Sequence, residues 1–306
     1  MDTPRTAIRP TATTLLVALS AGLLASPPAN ADSVIAADAT AQNVSAFGTT
    51  RAWSRRAADG TYRLVVMGAS RVPADAPVRR SSIPFDPDVG PTMRGTQYIV
   101  FIRCSSPVTG RGCDIYGYDV SRRTARKLTA VSDPSRSEGA PSYFKGAIAF
   151  VRNGSRHGLY VAAAGHRPRR VATSSSHETD LSATHVISNS EYITVRRRDG
   201  SHAREFDQNH GGEEAFSAAY SPVLSRDRAF WIDGGGEYRM HDQGEPWMVR
   251  VGTVSVHSDS SRAEYGDHKF PAKDMATIAL GPSGMPELYS GAGGVARINP
   301  LLTFAS

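Results

Sequence analysis

One unit occurs twice between Asp88 and Thr173, and that repetition constrains the fold more than any other property of the chain. The first copy runs GTQYIVFIR (Gly95–Arg103), DIYGYDV (Asp114–Val120) and ARKLT (Ala125–Thr129). The second runs KGAIAFVR (Lys145–Arg152), GLYVAA (Gly158–Ala163) and RRVAT (Arg169–Thr173). Phe101 and Phe150 lie 49 residues apart, Tyr116 and Tyr160 lie 44 apart, and Leu128 and Val171 lie 43 apart. A period of about 40–50 residues with several short strands per unit is the signature of a β-propeller blade.

Weaker copies flank this pair. The first holds Thr50–Arg55, an Ala58-Asp59-Gly60 turn, Tyr62–Gly68 and Val78–Ser82. The fourth holds Ser190–Arg197, an Asp199-Gly200 turn and His202–Phe206, with no visible last strand. The fifth holds Arg228–Asp233, a glycine turn at Gly234–Gly236, Glu237–Asp242 and Trp247–Gly252. The sixth holds Met275–Gly281, Pro286–Gly291 and Val295–Asn299. One further strand precedes each triple and opens on an acid followed, three residues later, by Pro or a small residue. Asp88, Glu138, Asp180 and Glu214 occupy this register, Glu264 fits it less well, and Asn43–Ala46 takes it in the first copy. Six units over residues 32–306 leave about 46 residues each, the length of a four-stranded blade. The expectation is an all-β, six-bladed β-propeller of four-stranded antiparallel blades, in one domain spanning 32–306. Residues Asp32–Gln42 are either a loose lead-in or a strand lent to the last blade, which would close the ring and remove an exposed edge.

With these residues in view, the chain resembles the TolB-type, WD-repeat-like propeller family. The closest copy is Asp88…Pro91…Gly95…Phe101…Asp114-Ile115-Tyr116…Lys127-Leu128-Thr129. The next is Glu138…Pro141-Ser142…Gly146…Phe150…Leu159-Tyr160…Val171-Ala172-Thr173. The family's Ser-Pro-Asp-Gly turn survives only at its ends, in Ser142–Gly146 and Ser221-Pro222. The resemblance implies a propeller that presents a binding surface. It implies no catalytic residues, since the repeat motif is structural.

The N-terminus reads as a targeting segment. Arg5 and Arg9 precede an apolar run at Thr14–Ala25, and Ala29-Asn30-Ala31 has the small-x-small pattern of a cleavage site. Cleavage after Ala31 would leave Asp32–Ser306 as an exported, extracytoplasmic and monomeric protein. The two cysteines, Cys104 and Cys113, flank the first loop of the best repeat, and an oxidising compartment predicts a disulfide between them. The formal net charge of +6 is carried by scattered arginines rather than by a basic cluster interleaved with aromatics, which argues against nucleic acid as a partner.

Chemistry is sparse. The nine histidines form no His-x-His or His-x-x-x-His pair, and no Gly-x-Ser-x-Gly elbow or phosphate-binding glycine loop is present. Glu213 and Glu214 are adjacent, so an extended strand would point them to opposite faces. The repeated acids Asp88, Glu138, Asp180, Glu214 and Glu264 are therefore the candidate binding residues. Gathered at a channel mouth, they could hold a Ca²⁺ ion or a basic peptide segment. Equally, each could accept backbone hydrogen bonds that tie blade to blade. No other cofactor is expected. The leading expectation is a non-enzymatic module that binds a protein or cell-wall ligand. The second is a secreted carbohydrate hydrolase or lyase working from the central depression.

Overall fold

Short runs of β-branched and aromatic residues become strands here because the neighbouring sheets cover them on both sides. The computed structural model describes residues 33–106, 111–174, 176–190, 192–206, 219–233, 247–257, 263–270, 276–280, 286–290 and 295–300. The chain opens with β1 (Ser33–Ala36). The first sheet follows as β2 (Ala41–Phe47), β3 (Thr50–Arg56), β4 (Tyr62–Met67) and β5 (Pro73–Asp75). The second is β6 (Asp88–Pro91), β7 (Gln97–Ser106), β8 (Arg111–Asp119) and β9 (Thr124–Lys127). The third is β10 (Glu138–Phe144), β11 (Ala147–Arg152), β12 (Gly158–Ala162) and β13 (Arg169–Ala172). The fourth is β14 (Glu178–Leu181), β15 (His185–Asn189), β16 (Ile193–Arg197) and β17 (Arg204–Phe206). The fifth is β18 (Ala219–Ser225), β19 (Arg228–Asp233), β20 (Trp247–Ser255) and β21 (Glu264–Phe270). The last three strands are β22 (Ala276–Leu280), β23 (Pro286–Ser290) and β24 (Val295–Pro300).

Each sheet is four-stranded and antiparallel, and the first five have their strands in chain order, which is the blade of a β-propeller. The sixth sheet is ordered β1-β24-β23-β22. Its outermost strand comes from the start of the described chain, with Ser33 opposite Arg297 and Val34 opposite Ala296. Of the two readings of the lead-in, the closing strand is the one realised. The first strand of each sheet lies against the first strand of the next, from β2 through β22 and back to β2.

Apolar clusters fill the spaces between sheets. Leu64 and Phe85 meet Ile99, Phe101 and Tyr118 between the first two sheets. Val100 and Ile115 meet Phe150 and Tyr160 between the next two. Trp53 and Met67 meet Ala279 and Tyr289 where the first sheet adjoins the sixth. The twin units keep a shared stack: Phe101 lies against Tyr116 and Phe150 against Tyr160, at 5.9 and 5.6 Å between ring centroids. A guanidinium caps each tyrosine, Arg103 over Tyr116 and Arg152 over Tyr160.

Strand assignments in four units differ from the sequence expectation. In the fourth unit the overlooked strand is the second, β15, so Ile193–Arg197 and Arg204–Phe206 are third and fourth. β15 is buried at all five positions and shows no polar alternation to betray it. In the fifth unit Trp247–Ser255 is third, and Glu264–Phe270, expected at the start of the next unit, is the outermost strand. Residues 237–242, expected as a strand, lie outside the described residues. In the sixth unit Ala276–Leu280 is innermost, and the place vacated at the rim goes to β1. In the first unit the outermost strand is Pro73–Asp75 rather than Val78–Ser82, because Asp75 forms ion pairs with Arg55 on β3 and Arg63 on β4.

The innermost strands approach closely enough to forbid a side chain at one point. A Cβ on Gly90 of β6 would stand 1.8 Å from the carbonyl oxygen of Tyr143 on β10. Gly90→Ala should therefore cost about 1–3 kcal/mol by overpacking. Gly68→Ala, which meets nothing within 4 Å, should stay within about 0.5 kcal/mol of the parent. Chemical denaturation of the two variants side by side checks this.

Candidate functional site in the central channel

Innermost strands of two kinds alternate around the channel. β2, β10 and β18 each carry a bulge, between Gln42 and Ser45, Gly139 and Ser142, and Tyr220 and Val223. At each bulge a residue adopts a left-handed backbone: Asn43, Ala140 and Ser221. A bulge turns backbone N–H groups out of the sheet ladder. The intervening strands β6 and β14 are regular and supply the acids that those groups meet. The Ser45 hydroxyl donates to Asp88 Oδ1 (3.3 Å), and the Tyr143 N–H donates to Asp88 Oδ2 (2.8 Å). The Ser142 hydroxyl donates to Asp180 Oδ1 (2.9 Å), and the Leu224 N–H donates to Asp180 Oδ2 (2.6 Å). Each carboxylate thus joins three successive sheets.

The other candidate acids lie elsewhere. Asp88 pairs with Val100, whereas Ser142 pairs with Ala149, the matching residue of the second repeat copy. The residue level with Asp88 on β10 is therefore Ser142, and Glu138 begins its strand four residues earlier. Glu138 is buried and accepts from Arg152 Nε (2.9 Å) and from the Asp133 N–H (3.2 Å). Glu264 is exposed on the rim strand β21, where it pairs with Arg228 (2.7 Å). Glu214 lies outside the described residues. Cys104 and Cys113 face one another across β7 and β8 and form the expected disulfide.

Two further acids belong to the channel. Asp86 stands two residues before Asp88, and Glu178 two before Asp180. Glu178 and Asp180 lie two apart on β14 and share a face, and Asp86 lies close enough to Glu178 to feel its charge. The acid-x-acid spacing was the available signal for Asp86 and Glu178. Removal from water raises the Asp86 carboxyl to about 7, with Glu178's charge adding to the effect. Removal from water also raises Glu178, against hydrogen bonds from the Ser221 N–H and the Asn189 amide. Asp88 and Asp180 are held above the ordinary carboxylate range by desolvation, and Asp180's charge raises Asp88 further. The channel between these strands is narrow. It encloses about 60 Å³, walled by Asp88, Asp180 and apolar residues such as Val223 and Ile278. That space admits a few water molecules. Among the described residues no group of three or more His, Cys, Asp or Glu side chains is placed to hold a metal ion.

Among the described residues two histidines, distant in sequence, meet: the rings of His185 and His257 lie edge to face at 5.8 Å. His185 is buried, which holds its pKa below the usual value.

Raised carboxyl pKa values have a sign that can be tested. Between the unfolded value near 4 and the raised native values, the folded chain binds more protons than the unfolded chain. Stability therefore falls as pH rises through that window. The free energy of unfolding should be about 1–3 kcal/mol greater at pH 6 than at pH 8.5. Asp88→Asn, which leaves an acceptor for the Tyr143 N–H, should flatten that slope. Urea titrations at the two pH values measure both effects.

No protein-family model matches the sequence, and no curated protein does. Similar solved structures exist at low identity. One, of the mitotic checkpoint complex, is 14% identical with a TM-score of 0.52, covering 95% of this chain and all of its own. A TolB from Agrobacterium tumefaciens is 14% identical with a TM-score of 0.39, covering 83% of this chain and 72% of its own. The β-propeller domain of the Trilobed protease from Pyrococcus furiosus is 9% identical with a TM-score of 0.46, covering 86% of each chain. At such identities the likeness is one of fold.

Proposed function

We propose that this chain is an exported, non-enzymatic, six-bladed propeller of TolB-like type. It would bind a protein partner or a cell-wall ligand at the end of the ring where the chain enters the innermost strands. The observation that carries this reading is the use made of the channel acids. Asp88 and Asp180 are engaged as acceptors between sheets, and the cavity beside them is too small for a sugar ring. The most distinctive polar groups of the channel thus serve the scaffold, and recognition falls to the loops around it. Export is supported by the apolar N-terminal run with its Ala29-Asn30-Ala31 site and by the disulfide.

A second reading has its own observation. Asp88 with Asp180, and Asp86 with Glu178, are neighbouring carboxyls with raised pKa values, as the paired carboxyls of a hydrolase or lyase are. Ca²⁺ held by Asp88 and Asp180 would account for the same acids.

A thermal-shift screen with cell-wall oligosaccharides, Ca²⁺ and EDTA, combined with a reducing-end assay, separates these readings. A binding module should show a midpoint raised by a bound ligand, with no new reducing ends. Release of reducing ends that disappears in Asp86→Asn and Glu178→Gln would overturn the non-enzymatic reading. A Ca²⁺-dependent rise, reversed by EDTA and absent from Asp88→Asn/Asp180→Asn, would establish the cation site.

A further inference from the structure

The end of the ring opposite the proposed ligand face carries a different chemistry. In each of the first five sheets, whose strands follow chain order, the turn from first to second strand and the turn from third to fourth lie at one end. The innermost strands also run alongside one another in the same direction. Asn43 on β2 reaches Phe85 while Ser45 reaches Asp88, and Tyr143 reaches Asp88 while Lys145 N–H donates to the Pro91 carbonyl. All of these turns therefore gather on one face. Four of the sheets place exposed cations there: Arg71 in the first, Arg94 and Arg123 in the second, Lys145 and Arg167 in the third, and Arg226 in the fifth. Arg71, Arg94, Arg167 and Arg226 join no ion pair among the described residues. The described acids at this end are Asp119, paired with Arg122, Glu264, paired with Arg228, and the exposed Asp199 and Asp227.

Two independent features set this face apart from an ordinary solvated surface. The first is backbone conformation. Eight described non-glycine residues have positive φ. Three are the bulge residues of the channel. The other five are all basic and all on this face: Arg71 (57°), Arg123 (55°), Lys145 (49°), His202 (54°) and Arg226 (54°). Left-handed turn positions favour Gly, Asn and Asp. Histidine tolerates such a position, but Arg71, Arg123, Lys145 and Arg226 place long cationic side chains there against local preference, and such outliers point to function. The second feature is apolar exposure. Met93 is 75% exposed and Val72 65%, and each stands next to an arginine of the set, Arg94 and Arg71. Tyr192, the exposed large aromatic among the described residues, lies at the other end of the ring, between β15 and β16.

We propose that this face docks on a lipid bilayer bearing anionic phospholipids. Arginine and lysine at the turn tips would meet the phosphates, and Val72 and Met93 would enter the interface beside them. A broad array of turn tips matches a flat charged surface, and apolar side chains between the cations add the second signal that stable attachment to a bilayer needs. A nucleic acid would call for exposed aromatics among the cations, which the described turns of this face lack.

The test is co-sedimentation of the full chain with vesicles of phosphatidylcholine alone or with one-third phosphatidylglycerol. The N-terminal apolar run is common to every variant, so differences between variants report on the face. The parent should bind the anionic vesicles more tightly, by a margin that shrinks with salt. Arg71→Asn/Arg123→Asn/Lys145→Asn/Arg226→Asn should lose about tenfold or more in binding. Because asparagine suits a left-handed turn, the same variant should unfold at no lower a temperature than the parent, which separates lost binding from lost folding. Val72→Ser/Met93→Ser should weaken binding and leave its salt dependence intact. Arg79→Ser/Arg80→Ser, at the opposite end, should bind as the parent does. Equal binding to both kinds of vesicle, or a quadruple variant that binds like the parent, would overturn the proposal. So would tighter binding to soluble polyphosphate than to vesicles with Val72→Ser/Met93→Ser unchanged, which would assign the face to a soluble polyanion.

Discussion

A small sheet with two apolar faces has no stable existence alone, and this requirement organises the whole molecule. Ala147 to Arg152 of β11 and Gly158 to Ala162 of β12 are buried at every position. Such a sheet must be covered on both sides, and its neighbours have the same need. A row of sheets would leave two faces bare. A ring leaves none, provided the last sheet meets the first, and Trp53 against Ala279 and Tyr289 is that meeting. The chain reinforces it by giving β1 to the sixth sheet. The link from β1 to β2 is fastened by Asp38, whose carboxylate accepts from Trp53 Nε1 at 2.7 Å and from Arg55 Nε at 2.6 Å. Burial opposes the charge on Asp38, but the bonds from Arg55, Trp53 and Thr40 outweigh it and hold the pKa below the usual value.

At the centre of the ring the constraint is polar. Six strands crowd about one axis, and every N–H turned out of a ladder there needs an acceptor. The bulges of β10 and β18 create such donors, and Asp88 and Asp180 accept from them. The same desolvation that makes these bonds strong raises the carboxyl pKa values. Scaffold and perturbed titration are thus two results of one arrangement, which is why shifted carboxyls here do not by themselves mark catalysis. The two ends of the ring then diverge. One gathers the links into the inner strands and the Asp86 and Glu178 carboxyls; the other gathers turn tips rich in arginine.

The fold was most legible where strands alternate or carry aromatic pairs. Phe101 with Tyr116 and Phe150 with Tyr160 are stacked partners across adjacent strands, so the aromatic pair recurs in sequence because its contact recurs. Legibility failed where burial is total or edges are polar. β15 has no alternation, and β21 opens on an acid that places it, by sequence, at the head of the next unit, whereas it is a rim strand. The acid register illustrates the limit at the site. Asp88 and Glu138 hold the same place in a sequence repeat, yet the bulge at Ala140 shifts the register between them. Glu138 instead meets Arg152, and Ser142 stands level with Asp88.

By itself the sequence determined the all-β propeller class, the four-stranded unit and the Cys104–Cys113 pair. These rest on local periodicity and short-range pairing, which side-chain type controls. Tertiary structure alone decided which acids share the channel, because a single bulged residue moves a carboxylate from one level to another. It also decided that Arg71, Arg123, Lys145 and Arg226, scattered through the chain, stand together on one face. That gathering follows from the parallel run of the inner strands around the axis, a relation between sheets that no local stretch of sequence contains.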